Sequence, residues 1–193
     1  ALSYSSTITN LYPSFTINPQ ESGAQSASRL LAMVPDVLFF RGSTGYSINP
    51  QSSDASAYSY GSSHFILSGR YNQMSGVNQV QVYGNGVISE GFSWMGLSQV
   101  YDRLRQVHDL NLDTVGKAQG RVERELRHLE MNSIGGELVV PANCGQELYD
   151  VIEISDSQAG LSQAKRRVLG LSLSYSVSSR NPHYQHRLRL GGV

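Results

Sequence analysis

Ser93 lies in Gly91-Phe92-Ser93-Trp94-Met95-Gly96, the stretch of this chain that comes nearest to a nucleophile elbow. That motif places a glycine two residues to each side of the serine, on a sharp strand-to-helix turn. Here the second glycine comes one place late, and no buried parallel strand of an α/β pattern leads in. Ser93 fits the N-cap region of a following helix better. Cys144, in Pro141-Ala142-Asn143-Cys144-Gly145, would need His128 or His108 as its base. No cysteine-protease signature surrounds it, and Pro, Asn and Gly there make a loop between strands. His183 and His186 share one expected strand but are an odd number of residues apart, so they point to opposite faces and cannot chelate one metal together. Glu147, Asp150, Glu153 and Asp156 invite comparison with a two-carboxylate hydrolase. Asp150 and Glu153 face opposite ways, however, and Asp156 falls in the next turn. Gly84-Asn85-Gly86 lacks the glycine and lysine that complete a phosphate loop. The expectation is a non-enzyme, with no catalytic residue, no cofactor and no metal.

Composition narrows the class. The chain has 193 residues, 39% of them hydrophobic and only 16% charged, which is enough to bury a core but leaves much of the surface to Ser, Asn, Gln, Gly and Tyr. The formal net charge is zero, which argues against nucleic-acid or membrane-surface binding driven by bulk charge. Lysines are confined to Lys117 and Lys165; the other basic residues are arginines, which suit planar multi-donor contacts at interfaces. A single cysteine rules out an internal disulfide. No apolar run approaches the ~20 residues that span a bilayer. The chain opens on Ala-Leu-Ser-Tyr, with no initiator methionine and no signal-peptide pattern, and on that ground is expected to be a segment of something longer.

The periodicities then place the elements. Residues 1–25 read as a lead-in segment with Leu11, Tyr12, Phe15 and Ile17 as scattered apolar anchors. A small α+β region, 26–76, opens with a short helix carrying Leu30, Leu31 and Val34 and closed by Pro35. Two apolar runs flanking Gly42-Ser43-Thr44-Gly45 then signal a hairpin, and a loop with one short strand near Tyr58 and Tyr60 follows. Residues 77–193 read as an antiparallel barrel-like domain with a helical insertion at about 93–133. Val80 and Val82 alternate before the Gly84 turn. Leu97, Val100, Tyr101, Leu104 and Val107 follow helical spacing. A long helix is expected from about Thr114 to Asn132, with Val115, Ala118, Val122, Leu126 and Leu129 inward and Glu123, Arg124, Glu125, Arg127 and Glu130 on a solvated face. Strands follow at Leu138–Val140, Tyr149–Ile154, Val168–Val177 and Tyr184–Leu190. The last two are expected to pair antiparallel, with Leu169, Leu171, Leu173, Leu188 and Leu190 in one core. The fold class is therefore α+β: a small antiparallel β-barrel or strongly curved sheet with a long helix, plus a smaller helix-and-hairpin region.

The order of these strings resembles a known family. VNQVQVYGNGV, a helix, GGELVVPANCGQELYDVIEISD, GL…RRVLGLSLSYS and YQHRLRLGGV together look like the tail-hub proteins of tailed phages and of related prophage or gene-transfer particles. The matching positions are Asn78, Val80, Val82 and Gly84; Pro141, Gly145, Asp150, Val151 and Ile152; Arg167 and Val168; Tyr184, Leu188 and Leu190. The pattern departs at His186, with Gln185 and Arg187 still in register. The front half, a Ser-Ala-rich helix ending in VPDVLFFRG before a hairpin, is similar to the family's middle region, so the resemblance covers about residues 20–193. Its motifs are weak singly and specific as an ensemble.

The resemblance implies a structural protein of the virion tail, assembled in the host cytoplasm, whose trimeric ring joins the tail tube to the distal tip. Its partners would be copies of itself and other tail proteins, with no membrane segment and no specific nucleic-acid binding, and it brings no catalytic residues. Candidate interface residues are Arg166 and Arg167, from the one dense basic patch, and Arg187 and Arg189, which project beside the Ser172, Ser174 and Ser176 face. A reading from another class is a carbohydrate- or partner-binding module appended to a cell-wall hydrolase, with Tyr58, Tyr60, Tyr71 and Tyr83 as lining residues.

Overall fold

The computed structural model describes residues 2–5, 15–73, 76–93, 101–177 and 182–193. The chain divides into two units that are interleaved along the sequence, where the periodicities pointed to contiguous segments. One unit comprises Ala1–Pro50 with Ser75–Leu129; the other comprises Gln51–Met74 with Glu130–Val193.

The first unit holds two three-stranded sheets and most of the helix content. β1 (Leu2–Ser5) pairs parallel with β3 (Thr44–Ile48), which pairs antiparallel with β2 (Val37–Arg41). Gly42, at φ +57, turns the β2–β3 hairpin as expected. Helix α1 (Gly23–Leu31) starts one turn earlier than its apolar spacing suggests, because Ser22 and Gln25 form a reciprocal capping box. In the second sheet β6 (Gln79–Tyr83) lies between β7 (Ile88–Phe92) and β8 (Leu104–His108). β8 corrects the helical reading of Leu104 and Val107: the stretch pairs parallel with β6 in register, Val107 beside Val82. Leu97 and Val100 of that reading lie outside the described residues, as do Leu11 and Tyr12 of the lead-in. Phe15 does pack on the core of this unit, but Ile17 is exposed.

Helix α2 (Val115–Ser133) begins where the sequence places it, with the Thr114 hydroxyl accepting from the Lys117 amide at 3.3 Å. Ala118 and Val122 are fully buried beside Val80, Val82 and Leu112, and Leu126 and Leu129 pack on the same cluster. Two assignments on α2 change. Val115 is exposed, and Glu125, expected in solvent, is 1% exposed. Three guanidinium groups surround the Glu125 carboxylate, from Arg124 at 2.9 Å, Arg121 at 3.1 Å and Arg105 at 3.3 Å. Such a carboxylate can be buried because it is paired, here with three cations.

The second unit is one six-stranded sheet, curled into a half-barrel, in the order β4-β10-β11-β12-β9-β5. Its strands are β4 (Ser56–Tyr60), β5 (Ser68–Gln73), β9 (Ile134–Pro141), β10 (Val151–Asp156), β11 (Leu161–Ser176) and β12 (His183–Gly191). All neighbours are antiparallel except β4 with β10. Tyr60, Leu138, Val140, Ile152, Ile154, Val168, Leu188 and Leu190 close the core. β5 has no apolar alternation and was not expected; backbone pairing with β9 makes it a strand. Gly136, at φ +146, permits that pairing, since a Cβ there would sit 2.1 Å from the Arg70 carbonyl oxygen. The α+β class with a curved sheet and one long helix matches what the periodicities imply.

The pairing of β11 with β12 is antiparallel as expected, Leu171 beside Leu188. The shared core is only half right. Leu188 and Leu190 are buried, but Leu171 and Leu173 are 38% and 54% exposed. These leucines share the core face of the sheet, yet among the described residues no layer buries that face so far along β11. Of the link expected to close this hairpin, Pro182 is described, and Arg180 and Asn181 lie outside the described residues.

Candidate assembly surface

Each residue tested for chemistry is engaged in a local structural contact. The Ser93 amide donates to the Asn78 carbonyl at 2.8 Å, which ties the end of β7 to the start of β6. Cys144 is exposed, with the Tyr184 hydroxyl 3.9 Å from its sulfur. Asp150 accepts from the Gln146 side-chain amide and the Glu147 backbone amide, both at 2.8 Å. Glu153 accepts from Ser56 at 2.9 Å, and Asp156 from the Tyr71 hydroxyl at 3.0 Å. Burial and the Asp156 contact hold the Tyr71 hydroxyl far above its ordinary pKa, so Tyr71 is a permanent donor here. Among the described residues no group of three His, Cys, Asp or Glu side chains is placed to hold a metal ion. Among the described residues no helix is long and apolar enough to cross a membrane.

The histidines sit as strand geometry requires. His183 lies opposite Ser176 and His186 opposite Leu173, on alternate faces. His186 is 5% exposed, and its Nδ1 accepts from the Asn143 backbone amide at 3.2 Å, which fixes the neutral ring with its proton on Nε2. Burial, with a smaller contribution from the nearby His64, pushes its pKa below the ordinary value. His64 spans the Tyr58 hydroxyl and the Pro141 carbonyl, at 3.0 Å to each, and clips the loop after β4 onto the end of β9.

The four candidate interface arginines separate into two kinds. Arg167 is 1% exposed, and its guanidinium donates to the Tyr149 carbonyl at 2.9 Å, the Gln51 carbonyl at 2.7 Å and the Asp54 carboxylate at 2.9 Å. It fastens the segment before β4 to the middle of β11 and has no charge to offer a partner. Position within a basic run suggested an interface residue, but the strand continues through Arg167 and the side chain is buried. Arg166 is half-buried, its Nη1 donating to the Lys165 carbonyl at 2.7 Å. Arg187 and Arg189 do project from β12 into solvent, Arg187 within 3.4 Å of Glu137 and Arg189 bonded to the Leu169 carbonyl at 3.3 Å. Register puts Arg187 beside Ser172 and Val139, and Arg189 beside Gly170 and Glu137, which continues to Arg70 on β5. One face of the half-barrel is therefore a polar, arginine-bearing surface.

The opposite face carries what the sequence reading missed. Beyond the core, Leu171, Leu173, Tyr175 and Val177 continue along β11 in exposed positions, joined by Tyr184 on β12, whose ring meets that of Tyr175 edge-on at 5.7 Å. The strict alternation was the available signal; its exposure was not. A groove of 890 Å³ at one end of the half-barrel is lined by Gly61, Ser62, Ser68, Ser155, Ser157 and Ser162 among others. Asp156 is its one acidic side chain and is held by Tyr71.

No family model matches the chain, and no curated protein matches it. Solved structures do. The tail protein from Neisseria meningitidis MC58 superposes with a TM-score of 0.71 at 13% identity, over 91% of this chain and 56% of that one. The 43 kDa tail protein of prophage MuSo2 from Shewanella oneidensis gives 0.60 at 13% identity, over 91% and 54%. A chain of the native gene transfer agent virion gives 0.60 at 13% identity, over 93% and 40%. The fold is thus one found in tail proteins of phage-like particles, and this chain spans about half the length of the solved chains it matches.

Proposed function

We propose that this chain is a structural segment of a phage-type tail tip: part of a hub or baseplate protein that joins the tail tube to the distal tip. In this reading it works by oligomeric assembly, as a trimeric ring in the protein that carries it, together with other tail proteins. It belongs to the virion tail, is assembled in the host cytoplasm and performs no catalysis. The observation that supports this most is the likeness of fold to tail proteins over nine-tenths of the chain, reached independently of the strand order that suggested it. The surface agrees in character, since Arg187 and Arg189 lie where a neighbour can meet them and Arg-rich, Ser-lined faces suit hydrogen-bonded contacts.

The appended-module reading loses its groove. Tyr60 is fully buried, Tyr71 is bonded to Asp156, and Tyr83 stacks on His108 at 4.9 Å in the other unit. Immunogold labelling of purified particles with an antibody to this chain tests the proposal. Label at the distal end of the tail is expected, and label on the head, or none on intact particles, overturns it. Light scattering on the whole protein adds a second check, for which a trimer is expected and a monomer across micromolar concentrations counts against the ring.

A further inference from the structure

β11 is sixteen residues long, whereas its neighbour β10 has six. β10 pairs with β11 from Leu161 to Arg167, and backbone bonds at Val168 end the contact. From Gly170 to Tyr175 the strand pairs with β12 alone, so among the described residues no strand occupies its other edge. Along this stretch Leu171, Leu173 and Tyr175 are 38%, 54% and 67% exposed, followed by Val177 at 77% and flanked by Tyr184 at 49%. An open strand edge beside an apolar row is a template for another strand: main-chain bonds supply the attraction and the alternating side chains the register.

We propose that this edge takes up β5 of a second copy of this chain. β5 is a terminal strand of the same sheet, and its six residues come within one of the seven from Gly170 to Ser176 that pair with β12 alone. β4, the other terminal strand, has five residues, and His64 packs against its Tyr58 and Tyr60 and bonds the Tyr58 hydroxyl. The faces also agree. Gly69 and Tyr71 of β5 stand on the core face that Leu171 and Leu173 share, while Ser68, Arg70 and Asn72 stand on the polar face of Ser172 and Arg187. Strand addition therefore sets Tyr71 beside the leucines and the polar residues beside the serines, and pairs of both sorts stabilise neighbouring strands. A net charge of zero sets no long-range repulsion between identical chains. Because two different edges meet, the contact is head-to-tail, the kind that closes rings.

This inference rests on the reading that copies of the protein assemble with one another, and it names the surface they use. Disulfide trapping tests it. In a Cys144→Ser background, single cysteines at 172 or 174 in one tagged chain are mixed with single cysteines at 70 or 72 in a second, under mild oxidation. Covalent dimers of mixed tag are expected to exceed same-tag dimers several-fold for at least one pairing. Adding Leu173→Glu with Tyr175→Glu, both at exposed positions, should abolish them while the melting temperature holds. Dimers formed only between two β11 cysteines, equal yields for every pairing, or none at all would overturn the proposal. Tip labelling of particles with no trapping would refute this surface and leave the tail assignment standing; trapping without tip labelling would do the reverse.

Discussion

Replacing Arg167 with alanine separates two accounts of the basic run Lys165-Arg166-Arg167. If Arg167 belonged to a contact surface, its loss would leave the isolated chain as stable as before. The structure instead buries the side chain and gives it two backbone carbonyls and one carboxylate. A hydrogen bond from a charged donor contributes about 1.5–3 kcal/mol net, and a buried acceptor left without its donor costs a similar amount. The low end of that range applies to the carbonyls of Tyr149 and Gln51. Asp54 is 39% exposed and regains water, so its share is small. Losing the packed stem adds to this, for a total of about 3–4 kcal/mol. Urea unfolding of the second unit, followed by a probe such as the near-ultraviolet signal of its tyrosines, gives the value. The midpoint should fall with the slope unchanged. Arg167→Lys keeps the charge but cannot span three acceptors, and should recover less than half of the loss. A cost below about 1 kcal/mol for the alanine variant would refute the assignment of Arg167 as an internal fastener.

Three further outcomes follow from the same geometry. Leu188→Ala should cost about 2–4 kcal/mol and Leu173→Ala less than about 1, because one side chain is fully buried and the other is 54% exposed; equal costs in chemical denaturation would undo the assignment of the β11 face. Gly136→Ala should destabilise by more than about 2 kcal/mol, combining a left-handed backbone with a clash against the Arg70 carbonyl, and a crystal or NMR structure showing β5 still paired to β9 at unchanged stability would contradict this. Stability should fall on acidification below about pH 6.5, the ordinary histidine value. His186 has its pKa lowered in the folded state, so the unfolded chain binds the proton more readily and its contribution is complete only above that pH. Thermal melts of His186→Asn should show a shallower pH dependence between 5 and 7, and an unchanged profile would remove His186 as the cause.

The parts of the fold legible in the sequence are those where one signal dominates. Ala118 and Val122 mark the inner stripe of α2, Gly42 turns its hairpin, and Val80 and Val82 fill a central strand, each by a pattern with one physical reading. Legibility failed where two patterns coincide. Leu104 and Val107 satisfy a helical spacing, with no alternation in 104–108 to set against it, and backbone pairing along the edge of β6 decides for the strand. β5 offers no pattern, since Ser68, Arg70 and Asn72 are polar and its pairing comes from the backbone, through the approach that Gly136 allows. Charged residues misled in the same way at two places. Glu125 and Arg167 carry the composition of a solvated face, and both are buried among partners that include residues distant in sequence, Arg105 beside Arg121 and Arg124 for the first and the Gln51 carbonyl and Asp54 for the second. A charge pattern records no partner that lies 20 or 116 residues away.

β11 separates two properties that alternation usually reports together. From Leu161 to Arg166 the strand alternates poorly and pairs with β10 alone, and Arg167, where the two ladders overlap, carries its side chain into the unit. From Gly170 to Val177 it alternates without a break, yet its apolar row is exposed. Period-two patterning fixes which side chains share a face. Whether that face is covered depends on how far the neighbouring strands extend, and β10 stops at the level of Arg167. A lone strand of this composition, with an open edge, invites uncontrolled pairing, and proteins ordinarily interrupt such edges with charge, proline or a bulge. Here the one interruption is the register shift between Val168 and Gly170, at the start of the open stretch, and the six residues after it carry none of those devices. Leu171, Leu173 and Tyr175 are thus an amphipathic row supplied beyond what this half-barrel covers. That surplus fits an edge completed from outside the chain, and β5 is the longer of the two terminal strands of the sheet and carries no histidine contact like that of His64 on β4.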